Sequence, residues 1–219
     1  YEIASCLVGS EMCIRDSVGC GQKRKEQTTP VFNSDKWTEV TLDIDPKCKP
    51  DIIASMTDMS IVEDNSFNAI YSSHNIEHLY LHQAVEVAKS FLRILKDDGY
   101  VMICCPDLKS VCKAVLEKGL LAPLYYLPNK DGVIDKKLYV SAIDILYGWR
   151  LPIQEGNHYM AHNTGFTEDI LSNLFIQAGF KKTFSTTREN FFDIQLLAFK
   201  EDNIEQSEAE LLLKRHCSK

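Results

Sequence analysis

At 219 residues the chain is long enough for one domain with its own core, and 45% hydrophobic with 25% charged residues is an ordinary globular balance. No apolar run approaches the ~18 residues that a membrane-spanning helix needs. A formal net charge of −7 argues against a broad, non-specific grip on nucleic acid, which requires a basic face; Lys23, Arg24 and Lys25 make only a local basic patch.

The eight cysteines form no Cys-x-x-Cys pair, and Cys104 and Cys105 are adjacent on a strand and so face opposite sides. They read as free thiols in a reducing, cytoplasmic compartment rather than as a disulfide or zinc framework.

Residues 1–17 have no initiating Met and lack the basic, apolar and cleavage regions of a signal peptide. They resemble translated sequencing-adapter sequence and are set aside as a non-native segment. Residues 1–12 are expected to add nothing to any site, with Cys13 to Val18 serving at most as a makeshift central strand. Gly19-Cys20-Gly21 follows, a glycine turn that lets the backbone approach a cofactor closely. Residues 22–36 are polar, contain Pro30 and lack helical spacing, so the usual helix after such a turn is short or missing.

Residues 39–42 predict a strand ending in Asp43, which lies 22 positions after Gly21. An acidic side chain there is placed to accept hydrogen bonds from ribose hydroxyls. Residues 51–54 predict a third short strand. Asp64-Asn65-Ser66 is turn chemistry, and residues 67–71 form an apolar run of strand length. Ala84, Ala88, Phe91, Leu92 and Leu95 recur at helical spacing over residues 81–96, with Gly99 as the expected stop. Residues 100–105 are a second strand, bounded by Pro106. Strand, crossover helix, strand is the unit of a doubly wound α/β sheet, whose ligands bind at the carboxyl ends of the strands. Ser72, Ser73, His74, Pro106 and Asp107 fall at that rim.

Leu108, Val111, Cys112, Val115 and Leu116 make another helical face, ended by Gly119. Residues 120–166 lose clear periodicity and are rich in Tyr, Pro and Asn. A segment of this length between regular elements reads as an active-site lid or acceptor insert. Thr167 is placed to cap a helix with Ile170, Leu171, Leu174, Phe175 and Ala178 on its buried face and Gly179 as its stop. Residues 181–186 and 191–200 read as a closing antiparallel hairpin. The charged tail, 201–219, predicts a loosely held helix or disorder.

Taken together, Gly19-Cys20-Gly21, the strand ending at Asp43, the phrase Asp64-Asn65-Ser66-Phe67-Asn68-Ala69-Ile70-Tyr71, Glu77-His78-Leu79, Arg93-Ile94-Leu95-Lys96 and Gly99 resemble class I S-adenosylmethionine-dependent methyltransferases, nearest the small ubiquinone-methyltransferase-like (type 11) group. The resemblance covers residues 18–200, with 120–165 as the insert. It implies a Rossmann-like α/β fold: a seven-stranded, mostly parallel sheet with the last strand antiparallel and helices on both faces. It implies S-adenosylmethionine bound over the first, second and fourth strand ends. Gly19, Cys20 and Gly21 would lie under the methionine moiety, Asp43 would hold the ribose and Ile44 would pack on adenine. Ser55 and Met56 would edge the adenine, and Ser73 and His74 would close the methionine side. Two departures stand out. Ser55 occupies a position where the family commonly has an acidic residue, and Lys96-Asp97-Asp98-Gly99 replaces the common Lys-Pro-Gly-Gly turn.

Methyl transfer from a sulfonium needs alignment and exclusion of water, and a general base only when the acceptor must lose a proton. The catalytic candidates are His74, His158 and His162, with His78 and Asp107 also in reach of the rim. His74, His78 and His82 are spaced by four, but His74 precedes the helix and nothing completes a ligand set, so no metal is expected. The expected activity is methyl transfer to a small-molecule or saccharide acceptor, without nucleic acid or a membrane span. The alternatives are a catalytically silent methyltransferase-like binding module and a nicotinamide dehydrogenase, the latter disfavoured by the missing third glycine.

Overall fold

The computed structural model describes residues 13–21, 23–129, 131–202 and 204–218. Seven strands form one sheet: β1 (Cys13–Val18), β2 (Trp37–Asp43), β3 (Ile52–Ile53), β4 (Phe67–Ser73), β5 (Leu95–Pro106), β8 (Lys182–Arg188) and β9 (Asp193–Phe199). Their spatial order is β3-β2-β1-β4-β5-β9-β8. The pairings from β3 through β5 are parallel, and β9, the last strand in the chain, runs antiparallel to both β5 and β8. This is the doubly wound α/β sheet expected, with the closing hairpin in place. A second, two-stranded sheet, β6 (Pro123–Pro128) and β7 (Ile134–Ser141), lies in the predicted insert.

Between β4 and β5 runs helix α1 (Leu81–Ile94), which buries Ala84, Val87, Ala88, Phe91 and Ile94, one apolar stripe at helical spacing. It packs with α5 (Glu168–Ala178), whose Leu171, Leu174, Phe175 and Ala178 join the same core. Ile170, expected on that buried face, is instead exposed. The opposite face of the sheet is covered by Phe32, Trp37, Tyr100 and Phe199 together with α6 (Gln206–Cys217). The tail is therefore not loose: Ala209, Leu212, Leu213 and His216 are buried, because this stripe packs on that face of the sheet with Leu197 and Phe199 of β9. Helix α2 (Leu108–Lys118) follows β5, and the insert adds two short helices, α3 (Ala142–Tyr147) and α4 (Arg150–Gln154). On α2 the expected apolar face is only partly used, since Val111 and Ala114 are buried while Cys112 and Leu116 are exposed.

After β1 and β2 there are, among the described residues, only single 3-10 turns, Lys25–Gln27 and Pro46–Cys48. The polar run after the glycine turn offers no apolar stripe for a helix to bury, as its spacing indicated. The stop of α1 differs from expectation. The helix ends at Ile94, and Leu95 is already extended, so Gly99 is not its cap. A side chain at Gly99 would meet Leu95 Cδ2 and the Lys96 carbonyl, each at 2.9 Å. Close backbone approach, rather than a left-handed turn, explains this glycine.

Residues 1–12, expected to add nothing to any site, lie outside the described residues, while Cys13–Val18 does serve as the central strand, paired with β2 on one side and β4 on the other. Its side chains fit that place poorly. Arg15 is fully buried, paired with Glu39 at 2.6 Å, with its guanidinium 4.9 Å from the Phe32 ring centroid. Asp16 is fully buried, and neither carboxylate oxygen has a hydrogen-bond partner. Burial raises its pKa to about 7, against the attraction of Arg15.

An acid whose pKa is raised on folding contributes stability fully below its unfolded value and loses it as pH rises through the folded one. Asp16 therefore weakens the fold progressively from about pH 4 to above pH 7, by an amount of order 4 kcal/mol. Urea unfolding should show Asp16→Val stabilising the chain strongly at pH 8 and much less at pH 4.5. An equal gain at both values would show that the carboxylate is not buried.

Candidate active site

The glycine turn leaves β1 at the carboxyl rim of the sheet. Gly19 and Gly21 both have positive φ, +64° and +54°. A side chain at Gly19 would strike the Asn75 amide, while in front of Gly21 there is open space. The Gly19 amide donates to the Leu42 carbonyl at 2.8 Å, and the Gly21 amide donates to Asp43 Oδ2 at 2.8 Å. Asp43 Oδ1 accepts from the Asp45 amide at 2.8 Å. The 22-residue spacing thus becomes a direct contact between turn and carboxylate. Each Asp43 oxygen keeps a further acceptor site. Ile44 beside it is 45% exposed, which leaves an apolar flank open next to the carboxylate. Asp45 turns away, as Pro46 indicated, and caps the following 3-10 turn by accepting from the Lys47 amide.

The basic patch is not a free surface. Arg24 reaches the Cys48 carbonyl at 2.6 Å and the Gly21 carbonyl at 3.2 Å, and Lys25 donates to the Ser34 and Trp37 carbonyls. Cys20 is buried at the turn, and burial pushes its thiol up to about 11, so it is no nucleophile at neutral pH.

On the β4 side, Asn75 is the residue that sequence reasoning missed. Its side-chain amide donates to the Val18 carbonyl at 3.1 Å and to the Ser73 carbonyl at 3.0 Å, joining the ends of β1 and β4 under Gly19. The signal was present, an Asn 2 residues past a strand end, but nothing in its spacing singles it out. His74 sits at φ +57° with its amide on the Cys104 carbonyl. What burial the half-exposed ring has opposes its charge. The Cys104 sulfur, 3.7 Å from Nε2, and the Glu77 carboxylate, 3.5 Å from Nδ1, outweigh that and raise its pKa well above the usual value. Ser55 and Met56 follow β3, where the Ala54 amide meets the Asp43 carbonyl. Ser55 is engaged locally with the Thr57 hydroxyl at 2.8 Å, and Met56 is partly buried against the main core.

The insert lies over this same rim. The Asn163 and Thr164 amides donate to the Glu77 carbonyl, and the Thr164 hydroxyl donates to the Leu79 carbonyl. The Leu108 amide donates to the Phe166 carbonyl. These bonds close a cavity of about 260 Å3 lined by Glu77, Pro106, Leu108, Tyr147, His162 and Thr164 among others. His162 is partly buried, with Nδ1 2.7 Å from the Ile145 carbonyl, and burial lowers its pKa. His158 stands apart on an exposed 3-10 turn. Asp107 is a cap: its buried carboxylate accepts from the Lys109 and Ser110 amides at the start of α2. His82 stacks on Tyr80 and does not join His78. His78 instead meets His162, their ring centroids 4.8 Å apart.

Residues 17–103 match the family model of a methyltransferase domain. No curated protein matches the sequence. Among solved structures, a Thermotoga maritima S-adenosylmethionine-dependent methyltransferase, described as a possible histamine N-methyltransferase, is similar with a TM-score of 0.52 at 13% identity, over 91% of this chain and 87% of that one. The Burkholderia thailandensis 1,6-didemethyltoxoflavin-N1-methyltransferase, solved with 1,6-didemethyltoxoflavin and S-adenosylhomocysteine, is similar with a TM-score of 0.51 at 12% identity, over 91% and 76%. The PH0226 protein of Pyrococcus horikoshii gives a TM-score of 0.55 at 13% identity, over 88% and 84%. The fold is the α/β fold of these methyltransferases, and with the domain match it supports a class I methyltransferase with S-adenosylmethionine as its cofactor.

Proposed function

We propose that the chain transfers a methyl group from S-adenosylmethionine to a small-molecule or saccharide acceptor held under residues 120–165. The observation that carries this reading is the Gly21–Asp43 contact at 2.8 Å beside the open face of Gly21, with exposed Ile44 as its flank. A backbone free of side chains, an acceptor carboxylate and an apolar shelf at one rim fit a nucleoside bearing a charged tail. When bound, the cofactor supplies an electrophilic methyl on a sulfonium sulfur.

The chain's own residues hold and align. Asp43 accepts from the ribose hydroxyls through its remaining acceptor sites. Gly19, Cys20 and Gly21 let the backbone approach the methionine moiety, and Ser73 and His74 close that side. Ile44, Ser55 and Met56 border the adenine. His162 is the group suited to take a proton from an acceptor hydroxyl, since its lowered pKa keeps the imidazole neutral at pH 7. His74, with its raised pKa, is a cation there and serves as a donor rather than a base.

Calorimetric titration with S-adenosylmethionine should give binding, and titration with NAD none. A hydrogen bond to a charged acceptor contributes roughly 1.5–3 kcal/mol, so Asp43→Ala should weaken cofactor binding about ten- to a hundredfold or slightly more. Asp43→Asn should fall between, because one of its two oxygens is replaced by a donor facing a backbone amide. Asp45→Ala should leave affinity nearly unchanged. Equal affinity for wild type and Asp43→Ala, with the fold intact, removes the reading's main support.

Hydrogen exchange followed by mass spectrometry provides a second check. Amides in residues 120–165 should gain protection when cofactor and acceptor are both present. Protection confined to the glycine turn would sever the insert from acceptor binding.

A further inference from the structure

The insert brings together three side chains that lie far apart in sequence. One carboxylate oxygen of Glu77 and one ring nitrogen each of His78 and His162 lie within 4.8 Å of one another. Glu77 is 1% exposed, and neither of its oxygens has a hydrogen-bond partner; the His74 contact at 3.5 Å is an ion pair without hydrogen-bond alignment. A carboxylate buried in this way is costly unless a cation compensates it, and the half-exposed His74 ring does so in part, from one side only. Among the described residues, the charged or titratable neighbours facing Glu77 include His74, His78, His162 and the buried Cys105 thiol.

Both histidines are prepared as ligands. His78 Nδ1 lies 3.0 Å from the Ala161 carbonyl, and His162 Nδ1 lies 2.7 Å from the Ile145 carbonyl. A carbonyl can only accept, so each Nδ1 carries the proton and each Nε2 keeps its lone pair. A backbone carbonyl holding the far ring nitrogen is the arrangement that orients metal-bound histidines. We propose that Glu77, His78 and His162 bind one divalent first-row transition metal, zinc by donor type, with its open coordination position toward the cavity.

Two imidazoles and one carboxylate favour such an ion over calcium or magnesium, which take oxygen ligands. Donors around a tetrahedral ion at about 2.1 Å lie about 3.4 Å apart, so the three side chains need only draw inward slightly. The second cluster, His74, Cys104 and Asp193, is not an equivalent candidate. Asp193 is already neutralised by Arg188, which donates to both its oxygens at 2.8 and 2.5 Å. The proposal does not require the methyltransferase reading. If both hold, the metal takes the place of His162 as the group that prepares the acceptor, because the His162 Nε2 lone pair is then engaged: an acceptor oxygen or nitrogen in the cavity is the natural fourth ligand, and an oxygen so bound loses its proton more readily.

The test uses the full chain, stripped with a chelator and titrated with Zn2+ by calorimetry and with Co2+ by absorption. One equivalent should bind, with cobalt ligand-field bands and no thiolate-to-cobalt charge-transfer band. Glu77→Gln, close in shape, and His162→Ala should each weaken Zn2+ binding at least a hundredfold and abolish the zinc-dependent rise in Tm. Cys104→Ser and His158→Ala should bind as wild type. Circular dichroism identifies any variant that fails to fold; Glu77→Gln then decides alone. The proposal is overturned if no metal binds, if a thiolate band appears, or if folded Glu77→Gln binds undiminished. Loss of S-adenosylmethionine binding with metal binding retained would defeat the proposed function and leave this site standing.

Discussion

The rim depends on β1, and β1 is held by its backbone rather than by its side chains. A central parallel strand covered on both faces ordinarily reads as a near-continuous apolar run. Here Cys-Ile-Arg-Asp-Ser-Val fills that position, with Arg15 directed to one face and Asp16 to the other. Parallel ladders to β2 and β4 satisfy its peptide groups on both edges. The side chains are accommodated afterward. Glu39 and the rings of Phe32 and Tyr71 receive Arg15, while Asp16 has no polar partner and shifts toward its neutral form. Such charges give little net stability even when paired. The glycine turn is therefore delivered to its place by a strand that hydrogen-bond geometry supports and packing opposes.

From that strand outward, the turn is fixed by three partners from two parts of the chain, the end of β2 and the turn after β4. Leu42 accepts the Gly19 amide, Asp43 accepts the Gly21 amide, and Asn75 blocks the space a side chain at Gly19 would need. Each contact uses a strand end, and this is why ligands in doubly wound sheets gather at the carboxyl rim. Among the described residues only a single 3-10 turn, Lys25–Gln27, follows the glycine turn, so Asp43 and Asn75 carry the geometry that an α-helix would otherwise share.

The sequence made the sheet legible wherever a local period coincided with burial. The 67–71 run, the α1 stripe and the closing hairpin needed no partner to be recognised. Asp43 was found because its distance from Gly21 reflects the length of one strand-turn-strand unit. What escaped was decided by tertiary context. Gly99 reads as a helix stop until the backbone of Asn68 and Lys96 is seen against it. The tail reads as solvated until its Leu212 and Leu213 meet the uncovered face of β9. His78 looks like one of a series with His74 and His82, yet its neighbour is His162, 84 positions away, which no spacing rule can supply. Asp107 looks catalytic at a strand end and is used up as a helix cap.

The short turn after β4 joins the two halves of the site. Within residues 74–79, the chain serves both sides. Asn75 reaches back to β1 and the glycine turn, while Glu77, His78 and Leu79 receive or meet the insert through backbone carbonyls and the His78 ring. His74 lies between them, touching Cys104 on one side and Glu77 on the other. The left-handed backbone at His74 turns the chain as it leaves β4, between the Cys104 contact and the Asn75 side chain. A rearrangement of this turn moves the Asn75 contact under Gly19 and the carbonyls that anchor Asn163 and Thr164 together. The two compartments are thus joined by six residues of packed and hydrogen-bonded chain.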